Sequence, residues 1–299
     1  MRRPTTLTVL LTMFAATSAR SAKPEPTTGV AAGGERADAV DFRLAQRRFV
    51  VVPVLVNGKG PYDFLLDTGS TTSVVDHELA KELGLKPLQR TETRTAHGTE
   101  RVLIARVHEM RVGPRSTETV LVLLSKMKGV RSLDDNIRGI LGFNFLSRFR
   151  YTVDYQHAKL TFEERRVAGT RVPFDASDRA VVLTTDDGRF LLDTGASSVF
   201  IFRAEGMDLE INARTITKVT TNAGRRVSRS GWLNSLAIGG VSLHRVPVTL
   251  VSGSGPEPRA EGLLPGALFQ SIYFDHEEDF VVLNPEPIGI ETATRSSGR

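Results

Sequence analysis

The chain has 299 residues, a formal charge of +5, 24% charged residues and no cysteine. Without cysteine there is no disulfide framework and no thiolate metal centre, so the fold must rest on its hydrophobic core, which a chain of this length can supply. The basic residues are scattered and form no run, which leaves no nucleic-acid footprint.

Met1-Arg2-Arg3 is a basic head, and 7–16 is an apolar run broken only by threonine. With the small residues Ala16-Thr17-Ser18-Ala19 behind it, it reads as a secretory signal peptide over 1–19 and implies a periplasmic or secreted product. The run is too short to span a bilayer, which needs about 20 residues, and no later stretch supplies a membrane span. Residues 20–41, rich in Pro, Gly, Ala and Thr, read as a flexible lead.

Order is expected from Phe42 onward. Phe49 to Val56 is β-branched and apolar, Asn57-Gly58-Lys59-Gly60 is a turn, and Phe64-Leu65-Leu66 resumes the strand, so a hairpin leads into Asp67-Thr68-Gly69. Residues 76–84 predict a short helix, with Asp76 as cap and Gly84 as stop. Alternation over 91–111 predicts a second hairpin whose tip is Gly98, beside His97. Gly139-Ile140-Leu141-Gly142 closes this half, 149–162 gives its last strands with a turn at Asp154-Tyr155-Gln156-His157, and the polar stretch 163–169 marks a boundary.

The plan is then written again. Phe64-Leu65-Leu66-Asp67-Thr68-Gly69-Ser70-Thr71 recurs as Phe190-Leu191-Leu192-Asp193-Thr194-Gly195-Ala196-Ser197, 126 positions on, and the same offset relates Val75 to Ile201, Gly98 to Gly224, Gly113 to Gly239 and Val120 to Val246. The chain is a tandem of two like halves. A hairpin over 181–192 turns at Asp186-Asp187-Gly188, a short helix is expected over 204–211, and 217–230 holds a second hairpin with its tip at Ala223-Gly224. Gly262-Leu263-Leu264-Pro265-Gly266 corresponds to Gly139-Ile140-Leu141-Gly142, with Pro265 in the place of a glycine. Trp232 reads as core, and 290–299 as a disordered polar tail.

Two like halves, each delivering one carboxylate from an apolar strand into a tight Thr-Gly turn, are what a two-aspartate acid/base site requires. Carboxylates about 3 Å apart cannot both ionise, so they share a proton and titrate as a pair. Asp67-Thr68-Gly69 and Asp193-Thr194-Gly195, each behind Phe-Leu-Leu, resemble the paired active-site motifs of aspartic proteases. The matched hairpin spacing, without a tyrosine in either hairpin, is more similar to the retroviral type than to pepsin.

The resemblance implies an all-β, two-lobe acid-protease (pepsin/retropepsin-like) closed β-barrel fold with short helices, its lobes over 42–165 and 166–289. It also implies an aspartic endopeptidase that acts on polypeptide as a monomer, with Asp67 and Asp193 as the catalytic pair. Thr68 and Thr194 would link the loops, and Gly69 and Gly195 would let the backbone pass close to the carboxyls. Ser70 would donate to the outer oxygen of Asp67, leaving Asp193 the less stabilised anion because Ala196 cannot do the same. His97, Gly98, Ala223 and Gly224 would form the flaps over the substrate. Pro265 motivates the other reading, a non-catalytic peptide-binding protein that keeps the fold. No His-Glu-x-x-His, cysteine cluster or phosphate-loop Lys-Ser/Thr is present, so neither a metal nor any other cofactor is expected.

Overall fold

The structure, a computed structural model, describes residues 6–8, 38–95, 98–162, 167–177, 179–204, 206–221, 224–251 and 260–284. The predicted signal segment apart from 6–8, most of the flexible lead, the polar tail, and the flap-tip residues His97 and Ala223 lie outside the described residues.

Phe49–Val56 and Lys59–Leu66 pair as an antiparallel hairpin. The turn forms because Asn57 and Gly58 both accept positive φ, 52° and 73°, as a tight turn matching strand twist requires. The Asn57 side chain also binds the lobe together: its Oδ1 accepts from His108 N (2.8 Å) and Glu109 N (3.1 Å). There Phe49–Val56 pairs with Gly98–Val112 and closes the first lobe's eight-stranded sheet on itself. The helix His77–Glu82 begins where Asp76 accepts a hydrogen bond from Glu78 N, and the chain leaves it through Gly84 at φ +68°. A four-residue helix, Lys128–Arg131, precedes Ile137–Leu141 and had no counterpart in the sequence reading.

The central device of each lobe is a parallel pairing behind the aspartate. Lys59–Leu66 runs beside Ile137–Leu141 with Leu66 opposite Leu141, and Gly188–Asp193 runs beside Gly262–Pro265 with Leu192 opposite Leu264. In the second lobe the sheet continues through Val199–Ile201, Val241–Leu250, Gly224–Ile238 and Leu209–Thr221, and Thr6–Thr8 adds in parallel to the last of these. The helix expected over 204–211 is not formed. Gly206 sits at φ +79°, no capping side chain matches Asp76, and Leu209 already begins a strand. Trp232 is also not core: it is 37% exposed and carries the Arg245 guanidinium 5.3 Å from its ring.

The strands read as the end of the first half do more than end it. Arg150–Asp154 pairs antiparallel with Ser271–Asp275, so six strands from both halves, in the order Arg171–Asp175, Phe280–Leu283, Ser271–Asp275, Arg150–Asp154, Lys159–Phe162 and Ala39–Asp41, lie side by side beneath the lobes and continue through Arg171–Asp175 into the second lobe's sheet. Ala39–Asp41, the end of the lead expected to be flexible, is thus a paired strand. At the centre of the six strands Arg150 Nε donates to the buried Asp275 carboxylate at 2.9 Å. One continuous apolar core runs through both lobes and this sheet, from Val52 and Leu66 through Tyr151 and Phe274 to Leu192 and Leu264. The chain thus adopts an all-β, two-lobe architecture with short helices.

Candidate active site

Each aspartate ends a buried Phe-Leu-Leu strand and begins a turn, so its carboxyl is delivered at the seam between lobes. Asp67 and Asp193 are 0% and 1% exposed. Their proximity can be read from the glycines. A Cβ built on Gly69 would lie 2.7 Å from the carboxyl carbon of Asp193, and one on Gly195 would lie 2.7 Å from that of Asp67. Each loop therefore presses its glycine against the other loop's acid, a contact that any side chain would break.

The threonines lock this arrangement. Thr68 N donates to Thr194 Oγ1 and Thr194 N to Thr68 Oγ1, each at 3.1 Å. In turn Thr68 Oγ1 donates to Leu192 O (2.6 Å) and Thr194 Oγ1 to Leu66 O (2.8 Å). Four buried bonds, each worth about 1 kcal/mol net, cross between the halves in a two-fold pattern. At the outer side Arg48 Nη1 donates to Ser197 O at 2.8 Å, which ties the first lobe to the second loop again.

Within each loop the carboxylate is held by backbone. Asp67 Oδ1 accepts from Gly69 N (2.9 Å) and Ser70 N (3.0 Å), and Asp193 Oδ1 accepts from Gly195 N (2.7 Å). The Ser70 hydroxyl donates to Thr72 O at 2.9 Å, where it closes the turn, while its main-chain N–H reaches Asp67. The Asp193 carboxyl is nevertheless held well above the usual carboxylate range. Burial is the main cause and the neighbouring charge of Asp67 the second, opposed by the N–H groups of Gly195 and Ala196.

Behind the loops the lobes differ. In the first, Ser73 is the hub: Gly142 N donates to its Oγ (3.0 Å), while Ser73 N and Oγ both donate to Asn144 Oδ1 (2.8 Å each). Asn144 Nδ2 donates onward to Leu121 O at 2.8 Å. In the second lobe the corresponding positions are Val199, Pro265 and Ala267. Pro265, which has no N–H, thus stands where the acceptor hydroxyl has also gone. It is a matched replacement, and the parallel pairing of Asp193 with Pro265 is intact.

Gly98 and Gly224 open the inner strands of the two long hairpins, opposite Thr95 and Thr221. Among the described residues no group of three or more His, Cys, Asp or Glu side chains gathers as a metal site, and no helix is long and apolar enough to cross a membrane. Two residues near the dyad had no signal in the local sequence, Ser73 and Tyr155. The hydroxyl of Tyr155 comes up beneath Gly266 and the side chain of Thr194.

Comparison with known proteins bears on this geometry. The chain matches the family model described as aspartyl protease over residues 52–145 and 181–265, which together make up more than half of it and include both Asp-Thr-Gly loops. No curated protein is matched. Among solved structures, a retropepsin-like aspartic protease from Rickettsia conorii is 18% identical with a TM-score of 0.31, over 42% of this chain and 87% of that one. The crystal structure of edgp is 9% identical with a TM-score of 0.49, over 85% of this chain and 96% of that one. With both loops inside the matched segments and the two aspartates brought together at the seam, the chain belongs to the aspartyl protease family.

Proposed function

We propose that the protein is an aspartic endopeptidase that hydrolyses peptide bonds with a water activated between Asp67 and Asp193. The observation that carries the reading is the reciprocal fit of the loops, in which each glycine abuts the other lobe's carboxyl.

In this reading Asp193, whose carboxyl binds its proton tightly, is the acid, and Asp67 is the base. Asp67 takes a proton from the water as its oxygen bonds to the scissile carbonyl carbon, while Asp193 gives its proton to the carbonyl oxygen. The tetrahedral diol collapses when Asp67 returns the proton to the leaving nitrogen and the C–N bond breaks. Asp193 recovers its own proton from a diol hydroxyl. No covalent enzyme intermediate is required. The threonine bonds act by keeping both carboxyls at one fixed separation. The long hairpins opening at Gly98 and Gly224 are the flaps that cover the peptide. The amino-terminal segment directs export to the periplasm or the outside of the cell.

The test is cleavage of a diverse peptide mixture across about pH 3 to 8, read by mass spectrometry, for the mature protein beside Asp67→Asn and Asp193→Asn. Both variants are expected to lose at least about 10³-fold in rate, because each removes one member of an acid/base pair. A folded wild type that binds peptides and cuts none at any pH would leave the non-catalytic peptide-binding reading in its place.

A further inference from the structure

The sheet beneath the lobes obeys the same two-fold relation as the loops, and it makes Tyr155 the counterpart of His276. Each residue follows one of the two central strands, Arg150–Asp154 and Ser271–Asp275. Each meets a phenylalanine edge-on: Tyr155 meets Phe42 at 6.3 Å and His276 meets Phe174 at 5.4 Å. Those phenylalanines are anchored alike, Phe42 N donating to Ala158 O (3.0 Å) and Phe174 N to Asp279 O (2.9 Å).

What lies above the pair is not alike. His276 is capped by the ring of Phe143 at 5.2 Å and 90°. The corresponding residue over Tyr155 is Gly266. A Cβ there would fall 2.3 Å from the Tyr155 hydroxyl oxygen and 2.9 Å from Thr194 Cγ2. A large residue over a smaller ring in one lobe is exchanged for a small residue over a longer phenol in the other. The consequence is that a hydroxyl reaches the second catalytic loop, while an apolar ring lies under the first.

We propose that Tyr155 is a positioning residue of the dyad, which sets the electrostatic environment of Asp193 by directing its hydroxyl through the space that Gly266 leaves open. The Tyr155 oxygen is buried and has no hydrogen-bond partner among the described residues, an unfavourable state when nothing offsets it. Burial first, and the charge of Asp193 second, keep the phenol protonated far above its ordinary range. Asp193 Oδ2 is likewise buried without a hydrogen-bond partner among the described residues, so the one rotatable hydrogen of the phenol is free to turn its dipole toward Asp193, an orientation that favours ionised Asp193 and works against the burial that raises it.

The other groups around this contact are Asp67, facing Asp193 from the first lobe, and Arg48, held on Ser197 O. Behind Tyr155 lies Tyr151, whose hydroxyl is 3.5 Å from His276 Nε2. The assignment rests on the dyad reading of Asp67 and Asp193, and its test does not require cleavage.

Carbon-13 carboxyl NMR would follow the titration of both aspartates in wild type, Tyr155→Phe and Gly266→Ala. Tyr155→Phe keeps the ring on Phe42 and removes only the hydroxyl. The Asp193 midpoint is expected to rise by about 0.5–1 unit, the size of one lost dipolar contact, and Asp67 to move by less than half as much. Gly266→Ala, which displaces the hydroxyl, is expected to shift Asp193 the same way. Its loss of thermal stability should be smaller on the Tyr155→Phe background than on wild type. An unchanged or lowered Asp193 midpoint in Tyr155→Phe, or strictly additive stability losses in the double variant, would overturn the assignment. If wild type cuts no peptide and the midpoint still rises, the protease reading fails and the Tyr155 assignment holds. In an active enzyme the alkaline limb of the pH profile should move up with the midpoint.

Discussion

The two Asp-Thr-Gly loops share Phe-Leu-Leu-Asp-Thr-Gly letter for letter, yet their supports share almost nothing. The first loop is backed by the polar hub Ser73, Gly142 N–H and Asn144, and by Phe143 over His276. The second is backed by Val199, Pro265 and Ala267, and by Gly266 over Tyr155. The difference shows where two-fold symmetry is enforced. A residue that touches its own counterpart across the seam must satisfy both lobes at once, so the threonines and glycines are kept. A residue that faces only its own lobe can diverge, provided that its neighbours change with it. Ser73 and Gly142 N–H were exchanged together, because a buried donor or acceptor left alone would cost about 1–3 kcal/mol.

The largest effect should come from breaking the symmetric part. Gly69→Ala and Gly195→Ala each place a methyl 2.7 Å from the opposite carboxyl carbon, well inside contact distance. Since the obstacle is the reacting group itself, each change should lower kcat/KM by at least about 10²-fold, the scale on which a displacement of about 1 Å acts. The two losses should agree within about threefold. Circular dichroism and steady-state kinetics on both variants would check this, and a difference of tenfold or more between the lobes would contradict the reciprocal fit.

An intermediate effect separates the supports. Ser73→Ala strands Gly142 N–H and one acceptor position of Asn144, so it should cost about 1–3 kcal/mol in urea unfolding. Val199→Ser, its mirror image, brings a hydroxyl to a place where Pro265 has no N–H to give, and should cost a similar amount. If Val199→Ser were neutral, the replacement of the hub in the second lobe would not be the matched exchange inferred from the contacts.

The sequence showed what is local or repeated. The hairpin at Asn57-Gly58, the capped helix after Asp76 and the duplication of Asp-Thr-Gly were all legible, because turn chemistry, capping and internal repeats leave their mark within a few residues or at a fixed offset. The sheet that joins the halves was not, since the pairing of Arg150–Asp154 with Ser271–Asp275 is made between strands that carry no local sign of their partner. The expected helix over 204–211 failed because the repeat was extended past the point where Gly206 and the lack of a cap had already ended it. A serine after Asp-Thr-Gly has several acceptors in reach, and only the fold shows that Thr72 O accepts from the Ser70 hydroxyl. Tyr155 was legible as a turn residue and not as a neighbour of Thr194, because that contact depends on the absence of a side chain at Gly266, more than a hundred positions away.

A pH-dependent difference between the loops tests which aspartate holds the proton. The folded protein raises the Asp193 carboxyl above its unfolded value, so the folded state binds that proton more tightly than the unfolded chain does. The stabilisation this brings is complete below the unfolded carboxyl pKa of about 3.9 and is lost as pH rises through the raised folded value, at about 1.4 kcal/mol for each unit of separation. Asp193→Asn has no such proton to lose. Its urea midpoint should therefore exceed that of wild type at neutral pH, and the gap should narrow toward pH 4. Asp67→Asn relieves Asp193 of its charged neighbour and leaves it buried, so part of the pH dependence should survive in that variant. A gap between Asp193→Asn and wild type that stays constant from pH 4 to 8 would mean that folding does not raise Asp193, and the assignment of acid and base to the two lobes would have to be reversed or abandoned.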